Sequence, residues 1–341
     1  MSSASCSLSF LCTSLVVSSM TTAKLRVMLM MMTAMAAATV AVATAAQTTQ
    51  ADLVKAVTST CSLVVTSDIL LTSNLPDVNS SACPEVKIVG GCGQGRCKID
   101  GADKYTFIRF PRRVHLENLH ITRMRCAGQD NSPVVFKPGT LFMKNCLVSS
   151  NVNPEDTGGI SIWEGSLDIQ STTFESNTGS SGGAILLDSF ATLKATNVIF
   201  RNNKGVEGGA IKNVESDIQC DRCQFLNNEA GDGGAVYLTD EDGTEATFRS
   251  TVFQGNRATK VGGQGGAVFI DNIDPGVKFC YSTFSRNTAV SAASGRQIDN
   301  NVYVGIEPEN FGDVTFCPSI PPAVVIRPGS EPLVTVNCTV C

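Results

Sequence analysis

Two short motifs alternate along the middle of this chain without a miss, and their spacing restricts the fold to a coil. Phe-x-x-Asn occurs at Phe174–Asn177, Phe200–Asn203, Phe225–Asn228, Phe253–Asn256 and Phe284–Asn287, with Phe steps of 26, 25, 28 and 31 residues. Gly-Gly-Ala followed by Ile or Val occurs at Gly182–Ile185, Gly208–Ile211, Gly233–Val236 and Gly265–Val268, with steps of 26, 25 and 32. A degenerate earlier copy reads Val148-Ser-Ser-Asn151, then Gly158-Gly159-Ile160. A period near 25 marks a repeat architecture in which each unit buries its apolar face on the next. The leucine-rich consensus is absent. Each unit instead holds β-branched runs such as Thr196–Phe200, punctuated by Gly, Asn and Asp, and has no room for a helix. The expected fold is all-β, a parallel β-helix with about three strands per repeat.

In such a coil successive turns stack roughly 4.8 Å apart, so equivalent residues sit above one another. The Phe column, Phe174, Phe200, Phe225, Phe253 and Phe284, is expected to stack as an internal aromatic ladder. The Asn column, Asn177, Asn203, Asn228, Asn256 and Asn287, is expected at a turn. There Asn tolerates left-handed backbone angles, and its amide both donates and accepts along the stack. The Gly pair allows a tight turn into the next strand.

The strand after the Gly pair can be phased. Lys212 must face out, so Ile211 faces in, and with it Val236, Leu238, Val268 and Ile270. The outward column is then Leu186, Lys212, Tyr237 and Phe269, joined by Trp163 if the degenerate coil is one residue shorter. An apolar strip rimmed by polar residues marks a contact site. Trp163, Lys212, Tyr237 and Phe269 are the candidate binding residues. Sugar rings stack on exposed aromatic faces, and a cation at Lys212 suits a uronate. The plainer reading is lateral packing under a covering loop.

The two-part repeat resembles that of the chlamydial polymorphic outer-membrane proteins, which also join a Gly-Gly-Ala-Ile element to a Phe-x-x-Asn element. The resemblance spans Val148 to Asn287. It implies a right-handed, pectin-lyase-like β-helix and a surface-exposed, adhesin-type role. Those proteins also carry a C-terminal outer-membrane barrel. The tail from Phe311 to Cys341 is short and Pro-rich, so the expectation is the coil without the barrel. Upstream, Val86–Val89, Tyr105–Ile108 and Val114–Thr122 read as further coils, with a slip in the alternation at Asn118. The expected boundaries are a targeting segment over 1–46, an N-terminal cap over 47–84, the β-helix over 85–310 with its most regular part at 148–290, and a C-terminal cap or tail over 311–341.

Lys24 and Arg26 precede an apolar run from Val27 to Ala43, and Ala43-Thr44-Ala45 supplies small residues for signal peptidase. Cleavage there implies a secreted or cell-surface protein, and no later segment reaches the ~18 apolar residues of a membrane span. Met20 is an alternative start. The twelve cysteines after the signal favour disulfides in an oxidising compartment. The formal net charge of −5 gives no electrostatic reason to expect nucleic acid. Asn79-Ser80-Ser81 and Asn337-Cys338-Thr339 are glycosylation sequons if the route is eukaryotic secretion.

Little in the chain suggests catalysis. His115 and His120 are the only histidines, and neither has the Gly neighbours of a Gly-His-Gly element. No nucleophilic Ser sits in a strand-to-helix Gly-x-Ser-x-Gly elbow. Asp240-Glu241-Asp242 reads as a solvated turn rather than a calcium loop. Cys220-x-x-Cys223 and Cys338-x-x-Cys341 lie too far apart for one zinc site, and disulfides or buried small residues are the expectation. Cys92 and Cys97 flank a turn as a local disulfide, while Cys126 and Cys146 are spaced to staple neighbouring coils. Lys104, Arg109, Arg112, Arg113, Arg123 and Arg125 crowd into two coils with both histidines, an ordinary charged face or a patch for an anionic polysaccharide.

No cofactor and no metal are expected. The leading function is a non-catalytic module that binds a glycan or a protein. A polysaccharide lyase, hydrolase or epimerase is the second possibility, and a structural wall or matrix component the third.

Overall fold

Period-2 alternation in three short runs per repeat closes the chain into a coil. The computed structural model describes residues 47–78, 81–93, 95–109, 112–126, 132–136, 139–239, 244–271, 275–305, 312–330 and 333–341. The expected signal segment, most of the first sequon and the Asp240–Asp242 turn lie outside them. Three parallel sheets run along the coil, all within the unit Thr48–Cys341. The first has eleven strands, from Ser62–Val65 to Val334–Val336, and the second nine, from Ile69–Leu70 to Thr283–Ser285. The third also has nine, from Ile108–Arg109 to Val324–Ile326. One turn of the coil runs Ser166–Gln170, Thr173–Glu175 and Ile185–Asp188, and Thr192–Thr196 then returns to the first sheet.

The coil is longer than the sequence suggested. Ser62–Val65 already pairs in parallel with Val86–Gly90, inside the expected cap, and Val334–Val336 still pairs with Asp313–Cys317, inside the expected tail. Short β-branched runs pair there without either motif, because only the register and the inward side chains must match. The cap proper is smaller. It contains a helix over Gln50–Lys55, opened by the Thr49 backbone N–H donating to Asp52, and Leu53 and Val57 are buried. Among the described residues no helix is long and apolar enough to cross a membrane.

The corners are single residues with left-handed backbones. Asn118, Asn145, Ser171, Asn197, Arg222 and Ser250 turn the chain from the first sheet into the second, at φ of 48 to 55°. The apparent slip at Asn118 is therefore a corner between Arg113–Glu117 and Leu119–Thr122. The next corner corrects the reading of the Asn motif. The left-handed residue is the one before the Asn: Ser176, Asn202, Asn227, Gly255 and Arg286. The Asn itself has an ordinary backbone, and its side chain is what the fold uses.

Each motif Asn is buried and bonds to the next. The Nδ2 of Asn177, Asn203, Asn228 and Asn256 donates to Oδ1 of the Asn one coil on at 2.9–3.0 Å, and Asn151 and Asn287 continue the chain to Asn177 and Asn301. The second amide hydrogen of Asn203 goes to the carbonyl of Phe174, while its Oδ1 accepts from the backbone and side-chain nitrogens of Asn177. No amide hydrogen of that residue is wasted, as a fully buried polar column requires.

Beside it runs the aromatic column. Phe174, Phe200, Phe225, Phe253 and Phe284 are in register, with ring centroids 5.1, 4.8, 4.9 and 4.8 Å apart and planes within 12° of parallel. The first four are fully buried, and Phe284, at the end of the stack, is partly so. A second stack, Phe248, Phe279 and Phe316, rises from the first sheet and meets Phe225, Phe253 and Phe284 edge to face. The Gly pair divides its work. Gly208 sits at φ +66°, where a side chain strains the backbone, and a Cβ on Gly209 would run into the carbonyl of Gly234 in the next coil.

Candidate functional site

The strand after the Gly pair builds the outer face of the third sheet. Ile185, Ile211, Val236 and Val268 point inward and are buried, as are Leu187, Leu238 and Ile270. The register aligns Ser161, Leu186, Lys212, Tyr237, Phe269, Tyr303 and Val325 in one outward column. Leu186, Lys212, Tyr237 and Phe269 thus share a column. Trp163 does not join it. It lies level with Asp188, in the adjacent outward column with Val214, Thr239 and Asp271. The reason is in the turn: Gly159 of the degenerate copy lies against Ala184, so no residue is missing and Ser161 takes the place level with Leu186.

Three rings of the column are stacked. Tyr237 and Phe269 have centroids 4.8 Å apart at 19°, and Phe269 and Tyr303 5.2 Å apart at 4°. Tyr303 extends the strip beyond the residues named from sequence. Its signal was the Val302-Tyr303-Val304 alternation, which lacks the Gly pair that drew attention to the other strands. Stacking has a consequence for recognition. Phe269 has both faces against neighbouring rings, while Tyr237 and Tyr303 each have one face against Phe269. Phe269 is 9% exposed and Leu186 6%, while Trp163, Lys212, Tyr237 and Tyr303 are half-buried. A sugar ring stacks on an aromatic face, and at Phe269, the middle of the three, both faces are occupied.

The electrostatics of the strip also differ from the sequence reading. Lys212 Nζ lies 2.7 Å from Glu207, across the Gly turn, so its charge is already matched and is not held in reserve for a uronate. Glu207 pairs in turn with the strand position of Asp232, and Asp188 and Asp271 flank the other side. The phenol of Tyr237 is pushed up to about 12, first by burial and then by the carboxylates of Glu207, Asp271 and Asp232. On one rim Lys212 offsets Glu207 and Lys260 offsets Asp232 at 3.3 Å, and Asp188 and Asp271 lie along the other.

Two of the six cations of the basic patch upstream, Arg109 and Arg123, are braced by carboxylates. Arg123 bonds Asp100 at 2.8 Å and Asp103 at 3.2 Å, Lys98 lies 3.8 Å from Asp100, and Arg109 lies 3.8 Å from Asp77. Asp100 and Asp77 come from neighbouring coils and were invisible as partners in the linear sequence. His115 lies against Phe142 with centroids 4.6 Å apart. His120 bonds Ser149 Oγ at 2.8 Å, and burial followed by Lys98 and Arg96 pushes its pKa down.

Among the described residues four disulfides are formed: Cys61–Cys83, Cys92–Cys97, Cys280–Cys341 and Cys317–Cys338. Cys126 and Cys146 do not staple coils. Both are free and buried, as are Cys220 and Cys223. Cys146 and Cys223 occupy a corner column shared with Thr172, Thr251 and Ser282. In each case the thiol or hydroxyl donates to the carbonyl two residues back. Cysteine here substitutes for a small hydroxyl residue. Contact with Cys223 and burial hold the Cys220 thiol well above its ordinary range, and burial pushes Cys126 up to about 12 and Cys146 up to about 11. Such thiols are protonated and poor nucleophiles at neutral pH. Among the described residues no three His, Cys, Asp or Glu side chains are grouped to hold a metal ion.

No family model matches the chain, and no solved structure matches it. Two curated proteins do. One is a probable outer membrane protein PmpG of Chlamydia muridarum, 30% identical over 169 residues, which is 47% of this chain and 16% of that protein. The other is a metabotropic glutamate receptor-like protein R of Dictyostelium discoideum, 29% identical over 107 residues, 30% of this chain and 6% of that protein. The chain thus spans less than a fifth of the length of either relative. Weak similarity to a chlamydial outer membrane protein over nearly half the chain accompanies a parallel β-solenoid built on the two repeated motifs.

Proposed function

We propose that this chain is a non-catalytic β-helix module of the cell surface or extracellular space, which holds a partner along its third sheet. The observation that carries this reading is the outward column of Tyr237, Phe269 and Tyr303, rigidly spaced by the ladders beneath it. The similarity to an outer membrane protein supports a surface role, and four disulfides support an oxidising compartment. A stacked column whose central ring has no free face suits a protein surface better than a run of stacked sugars. Aromatic anchors of this kind dominate interface energies.

The test is a binding screen of the secreted protein against glycans and surface proteins, with uronate release measured in parallel. Tyr237→Ala is expected to weaken partner binding about tenfold or more, with the melting temperature lowered by no more than about 3 °C. Unchanged binding by Tyr237→Ala would remove the strip from the function. Release of uronate by the wild type would replace the binding module with the polysaccharide-active alternative.

A further inference from the structure

The C-terminal tail builds a trough on a different face of the coil. Cys338 is bonded to Cys317 and Cys341 to Cys280, both at the ends of strands of the first sheet. These two bonds hold Val340 over the sheet as a wall. On one side lies a groove of about 400 Å³, floored by outward residues of four coils, among them Lys194, Gln219, Thr247, Arg249 and Lys278. That volume falls in the range of small-ligand sites.

The charges in the groove are sorted into used and unused. Glu245 is bonded to Lys278 at 2.6 Å and to Thr247 at 2.9 Å. Asp221 is bonded to Arg222 at 2.7 Å. Lys194 and Arg249 are exposed and form no ion pair among the described residues. The register sets their separation. Lys194 is level with Gln219 and Thr247, and Arg249 lies two residues beyond Thr247 on the same strand. Two coils put the two backbone positions about 10 Å apart along the axis, with a further two residues of strand between them.

An anion held by one cation leaves the other unmatched when the side chains extend along the sheet. An extended ligand with anionic groups at intervals matches both. The floor is hydroxyl and amide: Thr196 and Gln219 can both donate and accept, and Thr247, whose hydroxyl donates to Glu245, accepts. Hydroxyl-rich chemistry between two anchored negative charges describes an acidic oligosaccharide. We propose that this tail-walled groove binds a short acidic saccharide, its carboxylate or sulfate groups on Lys194 and Arg249 and its hydroxyls on Gln219 and Thr247. The site is separate from the third-sheet strip.

Calorimetry on the intact disulfide-bonded protein tests this with four probes: an oligogalacturonide, a heparin-derived oligosaccharide, a neutral cello-oligosaccharide and inorganic phosphate. One or both acidic oligosaccharides are expected to bind, more weakly as salt rises, and which of them binds separates carboxylate from sulfate. The neutral sugar and phosphate are expected not to bind. Lys194→Gln with Arg249→Gln should weaken binding at least about tenfold, while Lys194→Arg with Arg249→Lys stays within about threefold, as expected for paired charges across an interface. Joint replacement of Cys280 and Cys341 by Ser frees the wall and should also weaken binding with the β-sheet circular dichroism retained. Tyr237→Ala should leave this binding intact, which separates the groove from the strip. The proposal is overturned if the double Gln variant binds as the wild type does, if the neutral sugar or phosphate binds equally well, or if neither acidic oligosaccharide binds.

Discussion

Replacing Asn203 by Asp is expected to destabilise the coil by about 4 kcal/mol or more at neutral pH, the sum of stranded buried donors and acceptors at roughly 1–3 kcal/mol each. The site is fully buried. Its amide nitrogen donates to Asn228 Oδ1 at 3.0 Å and to the Phe174 carbonyl at 3.1 Å. A carboxylate there turns an acceptor toward two acceptors and buries a charge without a counterion. The sign of the pH dependence follows. The introduced carboxyl has a folded-state pKa above its unfolded value of about 3.9, so the penalty is smallest below that pH and grows as pH rises. Urea unfolding of the variant at pH 3.5 and pH 7 measures both effects. A loss under about 1 kcal/mol at pH 7 contradicts the ladder.

Phe225→Ala is expected to cost about 3–5 kcal/mol, the range for truncating a buried aromatic. Phe225 lies 4.8 Å from Phe200 and 4.9 Å from Phe253 in the stack, and meets Phe248 edge-on at 6.2 Å. The neighbours cannot collapse into the gap, because parallel pairing on both sides fixes their height along the axis. The cost should therefore fall near the top of that range. Phe284→Ala, at the partly exposed end of the stack, should cost clearly less. Equilibrium unfolding in urea compares the two. Equal losses, or a loss under about 1 kcal/mol for Phe225→Ala, would mean that the rings do not share one buried column.

Much of the coil was legible because a stack of turns prints itself on the sequence. A residue that must lie above its counterpart recurs at the repeat, so the Phe and Asn columns and the inward Ile211, Val236 and Val268 could be read directly. The second aromatic stack was also printed there, less plainly: Phe248 and Phe279 each lie five residues before a motif Phe. The column escapes notice because Ala195 and Cys220 hold the same place in earlier coils. Elements without a repeated motif were hidden. Ser62–Val65 and Val334–Val336 are strands only by pairing with a neighbour, so the coil's ends were misjudged.

Partnerships between columns were hidden for a different reason. Lys212 meets Glu207 across a turn, and Arg123 meets Asp100 from the coil below, neither at a fixed sequence offset. Disulfide connectivity has the same character. Cys338 and Cys341 bond not to each other but to Cys317 and Cys280, and the tail-walled groove exists only because of that choice. The candidate strip was readable to the extent that it follows the period. The placement of Trp163, the stacking of Phe269 between two tyrosines and the pairing of Lys212 with Glu207 depended on register and on side-chain neighbours.

Every outward column depends on one register, and a distance across many coils tests it most directly. Thr140 and Asp313 are 173 residues apart in sequence. Both face outward in the first sheet, in one column that passes through Ser166, Thr192, Asp217, Glu245 and Gly276. Nitroxides placed at the two positions through a non-cysteine coupling leave the disulfides untouched, and pulsed electron paramagnetic resonance then reads their separation. Six coil spacings of ~4.8 Å predict a single narrow distribution near 29 Å. A distribution centred beyond about 45 Å, well outside six such spacings, or one without a defined peak, would contradict the stacked coil and every column described on it.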